Sequence, residues 1–290
     1  MRARRMLRRL IAPGLLVGLV GLLGIAWVGD TLTRPAPRVL GDPPPSLAAT
    51  SVRLAFGRAD VLAGWFARGT RGAGAVLLLH GIRANRLQML ARAEALHADG
   101  YSVLLVDLPA HGESSGDRIT FGAREAAGVR AALRYLRTAL PGERIGVIGV
   151  SLGAAALVLA QPTPAPAAVV LESMYSTVEV ATANRLQIRF GRLGTLLEPL
   201  FTAQIPWRLG IAAETLRPLD ALGVLKSPVL IASGTEDAHT RWSETRRLYA
   251  AARPPKALWR VEGARHQDLR AYAPAEYASV VFGFLAEHLR

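Results

Sequence analysis

The chain has 290 residues, about half of them apolar, which is enough for one sizeable α/β domain with an appendage. It contains no cysteine, so disulfides and thiolate metal sites are excluded. The formal charge of +13 comes almost entirely from arginine, and the one dense basic cluster precedes an apolar segment, so we expect no nucleic-acid partner.

A basic tail and an apolar stretch open the chain. Residues 1–9 carry five arginines, and the nineteen residues 10–28 carry no charge. As a helix this stretch spans about 28 Å, close to the hydrocarbon thickness of a bilayer. The charge asymmetry predicts a basic cytoplasmic tail, a transmembrane signal anchor over residues 10–28 in the cell membrane, and a following domain on the outer (periplasmic or extracellular) side. A signal peptide cleaved near residues 24–26 and a buried helix of the domain are the alternatives.

Prolines are frequent in the next segment, residues 29–49. Pro35, Pro37 and the run 43–45 exclude a continuing helix and favour an extended chain. We therefore predict a Pro-rich linker here, followed by a globular domain over residues 50–290.

Short apolar runs alternate with amphipathic segments throughout this domain. The first two runs predict an antiparallel hairpin, and the later ones are aliphatic strands of the kind that parallel sheets bury. The predicted strands are 51–56, 61–67, 75–79, 102–106, 144–150, 168–171, 228–231 and 257–261, and the predicted helices are 87–98, 122–140, 241–252 and 275–289. This alternation indicates a mostly parallel sheet with helices on both faces and functional loops at the carboxyl ends of the strands.

One segment, residues 177–218, breaks the alternation. Its apolar residues come in clusters, such as Leu196–Leu197 and Leu200–Phe201. We interpret it as a short helical lid that lies over the carboxyl edge of the sheet.

The pattern Gly-x-Ser-x-Gly, residues 149–153, lies between a predicted strand and a small-residue run that favours a helix. In this position the pattern is typical of a nucleophile elbow, because the tight turn has room only for glycine beside the neighbouring strand and helix. The turn exposes Ser151 at the end of the strand, and the helix N-terminus beneath it favours developing negative charge. The pentapeptide alone is a weak signal, and its context gives it weight.

A serine hydroxyl needs a general base at neutral pH, and the base needs an orienting carboxylate. Asp237 and His266 each follow one of the last two predicted strands. The order Ser…Asp…His is the one expected of this architecture, so we predict a triad of Ser151, Asp237 and His266. Glu236 and Asp268 are alternative acids. The competing interpretation makes Asp237 a helix cap and His266 an ordinary loop residue.

An acyl intermediate also needs two N–H donors for its oxyanion. The predicted donors are the backbones of Leu152, first in the elbow helix, and Ile82, in the loop after strand 75–79. His80 and His111 lie in neighbouring turns, and we expect both to brace their loops. The six histidines show no metal-ligand spacing, so we expect neither a metal nor a cofactor.

These residues resemble the α/β-hydrolase superfamily over residues 50–290. The resemblance implies an α/β-hydrolase fold, and it rests on the motifs Leu79-His-Gly81, Asp107-x-x-x-His-Gly-x-Ser114, Gly149-x-Ser-x-Gly153, Gly234-x-x-Asp237 and Gly263-x-x-His266. Residues 172–176 and the compact insertion are similar to the membrane-associated Bem46-like and serine-aminopeptidase-like (S33) branches. One departure is Pro109-Ala110, where the superfamily often has Arg-Gly or Tyr-Gly.

The leading prediction is a membrane-anchored serine hydrolase that cleaves an ester, thioester or related acyl bond through an acyl-serine intermediate. A peptidase of the serine-aminopeptidase type is one alternative, because the same machinery serves amides. A non-catalytic binding module with a hydrolase fold is the other. The expected partners are a small-molecule or lipid-like acyl substrate and the membrane that holds the anchor.

Overall fold

In this computed structural model, residues 2–57 and 59–290 are described, with side chains from residue 16 onward except at residues 17 and 58. The strands are β1 Ala36–Pro37, β2 Thr50–Ala55, β3 Val61–Ala67, β4 Ala75–Leu79, β5 Ser102–Val106, β6 His111–Gly112, β7 Ile145–Val150, β8 Ala168–Glu172, β9 Val229–Gly234 and β10 Lys256–Val261. The α-helices are α1 Arg2–Thr33, α2 Leu90–Ala98, α3 Ala123–Ala139, α4 Leu152–Ala160, α5 Val178–Phe190, α6 Glu198–Thr202, α7 Gln204–Leu209, α8 Pro218–Leu222, α9 Trp242–Ala251, α10 Leu269–Tyr272, α11 Pro274–Tyr277 and α12 Gly283–Leu289.

Eight strands of the described chain form one sheet in the order β10-β9-β8-β7-β4-β5-β3-β2. β2 and β3 form an antiparallel hairpin at one edge, and β3 also pairs antiparallel with β5. The strands from β5 across to β10 are parallel. The predicted mostly parallel sheet with one hairpin is therefore confirmed.

The sheet separates two apolar cores, because successive side chains of a strand point to opposite faces. In β4, Leu77 and Leu79 face one core, and Val76 and Leu78 face the other. Residues of α3, α4, α8 and α9 complete the first core, and residues of α2, α11 and α12 complete the second. Strands buried on both faces are continuous apolar runs, which explains why their bounds could be predicted closely.

The carboxyl ends of the parallel strands lie at one edge of the sheet, where the turns after β4, β7, β9 and β10 meet. The segment predicted as a lid begins a few residues after β8 and is largely helical: a 3₁₀ segment over Gly191–Leu197 joins α5 to α6, and α7 follows α6. The lid thus starts at the edge that carries the predicted site.

The first helix, α1, continues past the predicted end of the apolar span at residue 28 to Thr33. The predicted anchor includes residues 10–15 and 17, which lie outside the described side chains. Within the described part of the chain, no helix is long and apolar enough to cross a bilayer. The last turns of α1 pack on the domain so closely that a Cβ added to Gly29 would lie 2.3 Å from the side-chain oxygen of Gln204.

The Pro-rich segment predicted as a linker follows the surface of the domain. Its strand β1 pairs in parallel with β6. The Glu113 carboxylate accepts the backbone N–H groups of Leu40 at 2.9 Å and Gly41 at 3.1 Å. Leu47 is fully buried in the second core. These contacts fix the position of α1 relative to the carboxyl edge of the sheet.

Candidate active site

Ser151 lies in the turn between β7 and α4. Its φ of 48° and ψ of −106° are rare for a residue other than glycine. A Cβ added to Gly149 would lie 2.6 Å from the Ala154 nitrogen, and one added to Gly153 would lie 2.6 Å from the Leu79 carbonyl oxygen. Because both contacts are with backbone atoms, larger residues would displace the strand or the helix. These are the constraints that the Gly-x-Ser-x-Gly pattern predicts.

Ser151 lines a cavity of about 460 Å³, and so do Ile82 and Leu152. The loop after β4 approaches closely, since a Cβ added to Gly81 would lie 3.8 Å from the Ser151 Cβ. Within the described residues, neither the Ile82 N–H nor the Leu152 N–H donates a hydrogen bond. Two unpaired donors around one cavity are suited to binding an oxyanion.

Asp237 and His266 are in direct contact. The Asp237 Oδ2 lies 2.8 Å from Nδ1 of His266. Its Oδ1 accepts the backbone N–H groups of His239 at 2.8 Å and Thr240 at 2.9 Å, and the Thr240 hydroxyl donates to Oδ2 at 2.7 Å. Burial alone would raise the pKa of Asp237, but the His266 ring and these donors outweigh it and lower the pKa. The ionised carboxylate only accepts, so Nδ1 of His266 is the donor in this bond, and Nε2 is the ring atom that can take a proton from a substrate or nucleophile.

The structure does not bring every predicted residue into contact. Among the described residues, no hydrogen bond joins the Ser151 hydroxyl to His266. Both lie at the carboxyl edge of the sheet, in the turns after β7 and β10. Glu236, one alternative acid, is exposed and lies 3.6 Å from Arg265.

Asp268, the other alternative acid, belongs to a network around the buried side chain of Arg92. Arg92 donates to Asp268 at 2.8 Å, to Glu172 at 2.7 Å and to the Tyr277 hydroxyl at 2.9 Å. Burial opposes the charge of Arg92, but Glu172 and the other partners outweigh it and raise the pKa of the guanidinium. The network ties the turn after β8 to the turn that carries His266.

The two neighbouring histidines brace loops, as expected. His80 is fully buried, its Nε2 accepts the Leu108 N–H at 2.9 Å, and its Nδ1 donates to the Gly81 carbonyl at 2.7 Å. Burial, reinforced by the nearby His111, lowers the pKa of His80 to about 3. His111 donates from Nδ1 to the Pro109 carbonyl at 2.9 Å. His80 is therefore neutral at physiological pH and both of its ring nitrogens are occupied.

Two residues beside the site were not predicted from the sequence. The ring centroid of His239 lies 5.0 Å from that of His266, and burial together with the charge of His266 lowers the pKa of His239. Arg185 of α5 lines the cavity with Ser151 and forms no ion pair among the described residues. His239 could have been suspected from its place two residues after Asp237, whereas Arg185 has no local signal.

Apolar side chains from distant parts of the chain form the other walls of the cavity. The end of α1 contributes Val28 and Leu32, and the lid contributes Leu186, Phe190 and Phe201. The contribution of α1 was not predicted, because the segment was interpreted as anchor and linker. Over the described residues, no group of three His, Asp or Glu side chains could hold a metal ion.

The sequence matches a family model described as the alpha/beta hydrolase family over residues 76–280. It is 32% identical over 213 residues to the uncharacterised protein Rv2307c of Mycobacterium tuberculosis, covering 71% of this chain and 68% of that protein. It is 26% identical over 195 residues to the uncharacterised protein YqkD of Bacillus subtilis, covering 66% of this chain and 64% of that protein. The chain thus spans about two thirds of the length of these relatives.

Solved structures show the same fold. The esterase Pf2001 of Pyrococcus furiosus superposes with a TM-score of 0.73 at 25% identity, over 89% of this chain and 99% of that one. A thermophilic esterase of Thermogutta terrifontis superposes with a TM-score of 0.60 at 18% identity, over 83% of this chain and 100% of that one. The second likeness concerns the fold alone. Together with the family match, they confirm the α/β-hydrolase fold expected from the motifs.

The neutral state of His80 predicts a pH dependence of stability. In the unfolded chain His80 binds a proton as the pH falls through about 6.5, whereas in the folded protein it does so only near 3. The unfolded state therefore binds more protons between these values, and His80 lowers the free energy of unfolding by about 1.4 kcal/mol per pH unit as the pH falls below about 6.5. The variant His80→Gln is expected to be less stable at pH 7. Its free energy of unfolding should also fall less steeply below about pH 6.5 than that of the wild type, by about 1.4 kcal/mol per pH unit.

Urea unfolding at pH 7, 6 and 5 would measure the slope. Leu77→Ala is the matched control, because it removes core packing without removing a titrating group. It should lower stability by about 2–5 kcal/mol and keep the wild-type slope. An unchanged slope in His80→Gln would contradict a neutral His80.

Proposed function

The chain belongs to the alpha/beta hydrolase family, and we propose that it is a membrane-anchored serine hydrolase that cleaves an ester, thioester or related acyl bond. In the proposed reaction, His266 Nε2 takes the proton of the Ser151 hydroxyl while the oxygen attacks the substrate carbonyl carbon. The Ile82 and Leu152 N–H groups stabilise the tetrahedral oxyanion. When this tetrahedral intermediate collapses, the bond to the leaving group breaks, and the leaving group takes the proton from His266. Water then attacks the acyl-enzyme in the same way and releases the acid.

The contact between Asp237 and His266 is the observation that carries this proposal. A helix cap explains the bonds of Asp237 Oδ1 to the N–H groups of His239 and Thr240. It does not explain the 2.8 Å bond between Oδ2 and the His266 ring. A buried carboxylate on that side of an imidazole orients the ring and stabilises the imidazolium that forms when it takes a proton. Asp237 is thus suited to both roles at once.

The cavity favours an acyl substrate. Its volume of about 460 Å³ is in the range of small-molecule sites. Its walls beside Ser151 are mostly apolar, with Val28 and Leu32 from α1 and Phe121 and Phe201 from the domain. Such walls stabilise an aliphatic chain by about 0.8 kcal/mol for each buried methylene group.

The membrane anchor is proposed from the sequence and from the exposure of α1. Six described apolar side chains of α1 are more than half exposed: Leu16, Leu19, Val20, Leu22, Leu23 and Trp27. Large apolar side chains exposed along a helix are unfavourable in water and favourable in a bilayer. The arginines before residue 10 favour a cytoplasmic N-terminus, which sends the hydrolase domain to the outer side.

Replacing the proposed nucleophile tests the reaction. A fluorophosphonate probe should label the wild-type protein, and Ser151→Ala should abolish labelling and lower ester turnover at least about 10⁴-fold, because the triad acts as a unit. Ser173→Ala is the matched control, since Ser173 is also buried with a φ of 46° in the turn after the next strand. It should remain labelled. Labelling of the Ser151→Ala protein would contradict the proposal.

The apolar walls predict a preference for longer acyl chains. On p-nitrophenyl esters from acetate to decanoate, kcat/KM should rise by up to about fourfold per added methylene group until the cavity is filled. Leu32→Trp should move the optimum to shorter chains, because it narrows the cavity. Leu22→Trp, on the same helix but outside the cavity, should leave it unchanged. Activity confined to acetate would speak against a lipid-like substrate.

The anchor can be tested in cells. Membranes washed with alkaline carbonate should keep the protein, because a spanning helix is inserted effectively irreversibly. Protease added to intact spheroplasts should digest the hydrolase domain, and a cytoplasmic marker protein should survive until the cells are permeabilised. Release by carbonate would contradict the anchor, and protection of the domain from external protease would contradict its outer location.

A further inference from the structure

The lid exposes an unusual number of large apolar side chains. We call these the lid surface: Phe190, Leu193, Leu196, Leu200 and Trp207, which are between 43% and 77% exposed. Large exposed apolar patches mark interaction sites, and these five exposed side chains all lie within residues 190–207. The position at which the lid contacts α1 indicates what the lid surface binds.

The lid meets α1 at the end of the proposed membrane span. Arg208 of α7 donates to the Ala26 carbonyl at 2.8 Å, and Gln204 donates to the Ile25 carbonyl at 3.4 Å. The span is expected to end at residue 28, and a helix rises 1.5 Å per residue, so Ala26 lies about 3 Å inside its outer end. Helix α7 therefore contacts α1 at the depth of the outer bilayer interface.

The side chains around the lid surface fit this depth. Trp207 is 66% exposed, and the Arg208 guanidinium lies 4.6 Å from the centre of its ring. Arg189 and Arg192 are exposed on the same segment. Tryptophan is enriched at membrane interfaces, and arginine side chains bury their stems while their charges reach the headgroups, anionic ones especially.

We propose that the lid surface is embedded in the outer leaflet of the bilayer and that the substrate is an acyl ester of the membrane itself, which enters the cavity from the leaflet. This inference rests on the proposed anchor and hydrolase activity. Phe190 belongs both to the lid surface and to the cavity wall, and its neighbours in the wall, Leu32 and Phe201, come from α1 and α6. An acyl chain can therefore move from the leaflet towards Ser151 along an apolar path. A water-exposed route would cost about 0.8 kcal/mol per methylene group.

The absence of cysteine allows a direct test on the full chain. Leu193→Cys and Leu196→Cys are labelled with a fluorophore that senses its environment and reconstituted in vesicles of equimolar phosphatidylcholine and phosphatidylglycerol. The matched control is Val224→Cys, an exposed apolar position before β9 and so at the opposite edge of the sheet. Lipids with a nitroxide on the acyl chain should quench the labels at 193 and 196 and leave the label at 224 unquenched.

A second measurement separates membrane contact from the reaction. Leu193→Glu with Leu196→Glu should lower turnover of an ester embedded in these vesicles at least about tenfold, because two apolar side chains leave the leaflet. Neither residue lines the cavity, so turnover of soluble p-nitrophenyl butyrate should stay within about twofold. Leu193→Phe keeps the apolar character of the position, so it should hydrolyse the embedded ester at the wild-type rate.

These experiments distinguish a failure of this inference from a failure of the proposed function. If the protein remains in the membrane and hydrolyses the soluble ester, but labels at 193 and 224 respond alike, this inference is overturned and the proposed function stands. Pyrene at position 193 that forms excimers would show that the lid surface joins two copies of the chain, which also overturns it. A protein that carbonate releases, or whose Ser151 does not react, would overturn the proposed function and this inference together.

Discussion

At Ser151 the chain turns from β7 into α4 with a φ of 48° and a ψ of −106°. A non-glycine residue in such a conformation costs about 1–3 kcal/mol, so its surroundings must hold it there. The Ser151 N–H donates to the Glu172 carbonyl at 2.8 Å, and its carbonyl accepts the Ala155 N–H at 3.0 Å. Gly149 and Gly153 let the strand and the helix approach within backbone contact. A relaxed turn would move the hydroxyl away from the cavity and from the Ile82 and Leu152 donors.

Buried charges hold the loops that surround this turn. The backbone N–H of Arg86 donates to Asp107 at 2.7 Å, and its guanidinium pairs with Asp107 and with Glu113. Arg92 does the same for the turns after β8 and β10. Taking such groups out of water is costly, and apolar replacements of similar shape are often as stable. These buried charges instead fix the geometry of the loops, because an ion pair with several hydrogen bonds allows one arrangement of two loops where apolar packing allows several.

Features that depend on neighbouring residues could be predicted from the sequence. β4 and β5 have the predicted bounds, because strands buried on both faces are uninterrupted aliphatic runs. The glycines of the elbow are predictable for the same reason, since the crowding arises between adjacent elements. The predicted helix over residues 275–289 is instead divided into α11, a π-helical turn and α12, and the helix predicted from residue 87 begins with a 3₁₀ turn over Arg86–Met89. Such differences arise from packing, to which periodicity is insensitive.

Contacts between distant segments could not be predicted. Nothing near Arg185 in the sequence indicates that it lies beside the cavity, and only the closeness of His239 to Asp237 along the chain hints that it lies beside the His266 ring. The catalytic roles of Ser151, Asp237 and His266 stay a prediction, but one whose acid and base the fold brings to 2.8 Å. The pairing of Asp237 with His266 could be predicted because parallel strands bring their carboxyl ends to one edge of the sheet, whatever sequence lies between them.

Helix α1 contacts both the cavity and the rest of the domain. Val28 and Leu32 are four residues apart and share a face of α1, and this face lines the cavity. Gly29 and Thr33 form the adjacent stripe, which packs against the domain through Gln204 and through the Ile119 N–H that donates to the Thr33 carbonyl at 2.8 Å. The rotation of α1 about its axis therefore decides both contacts together. In the membrane-anchored protein that we propose, α1 therefore also fixes the height of the cavity above the membrane.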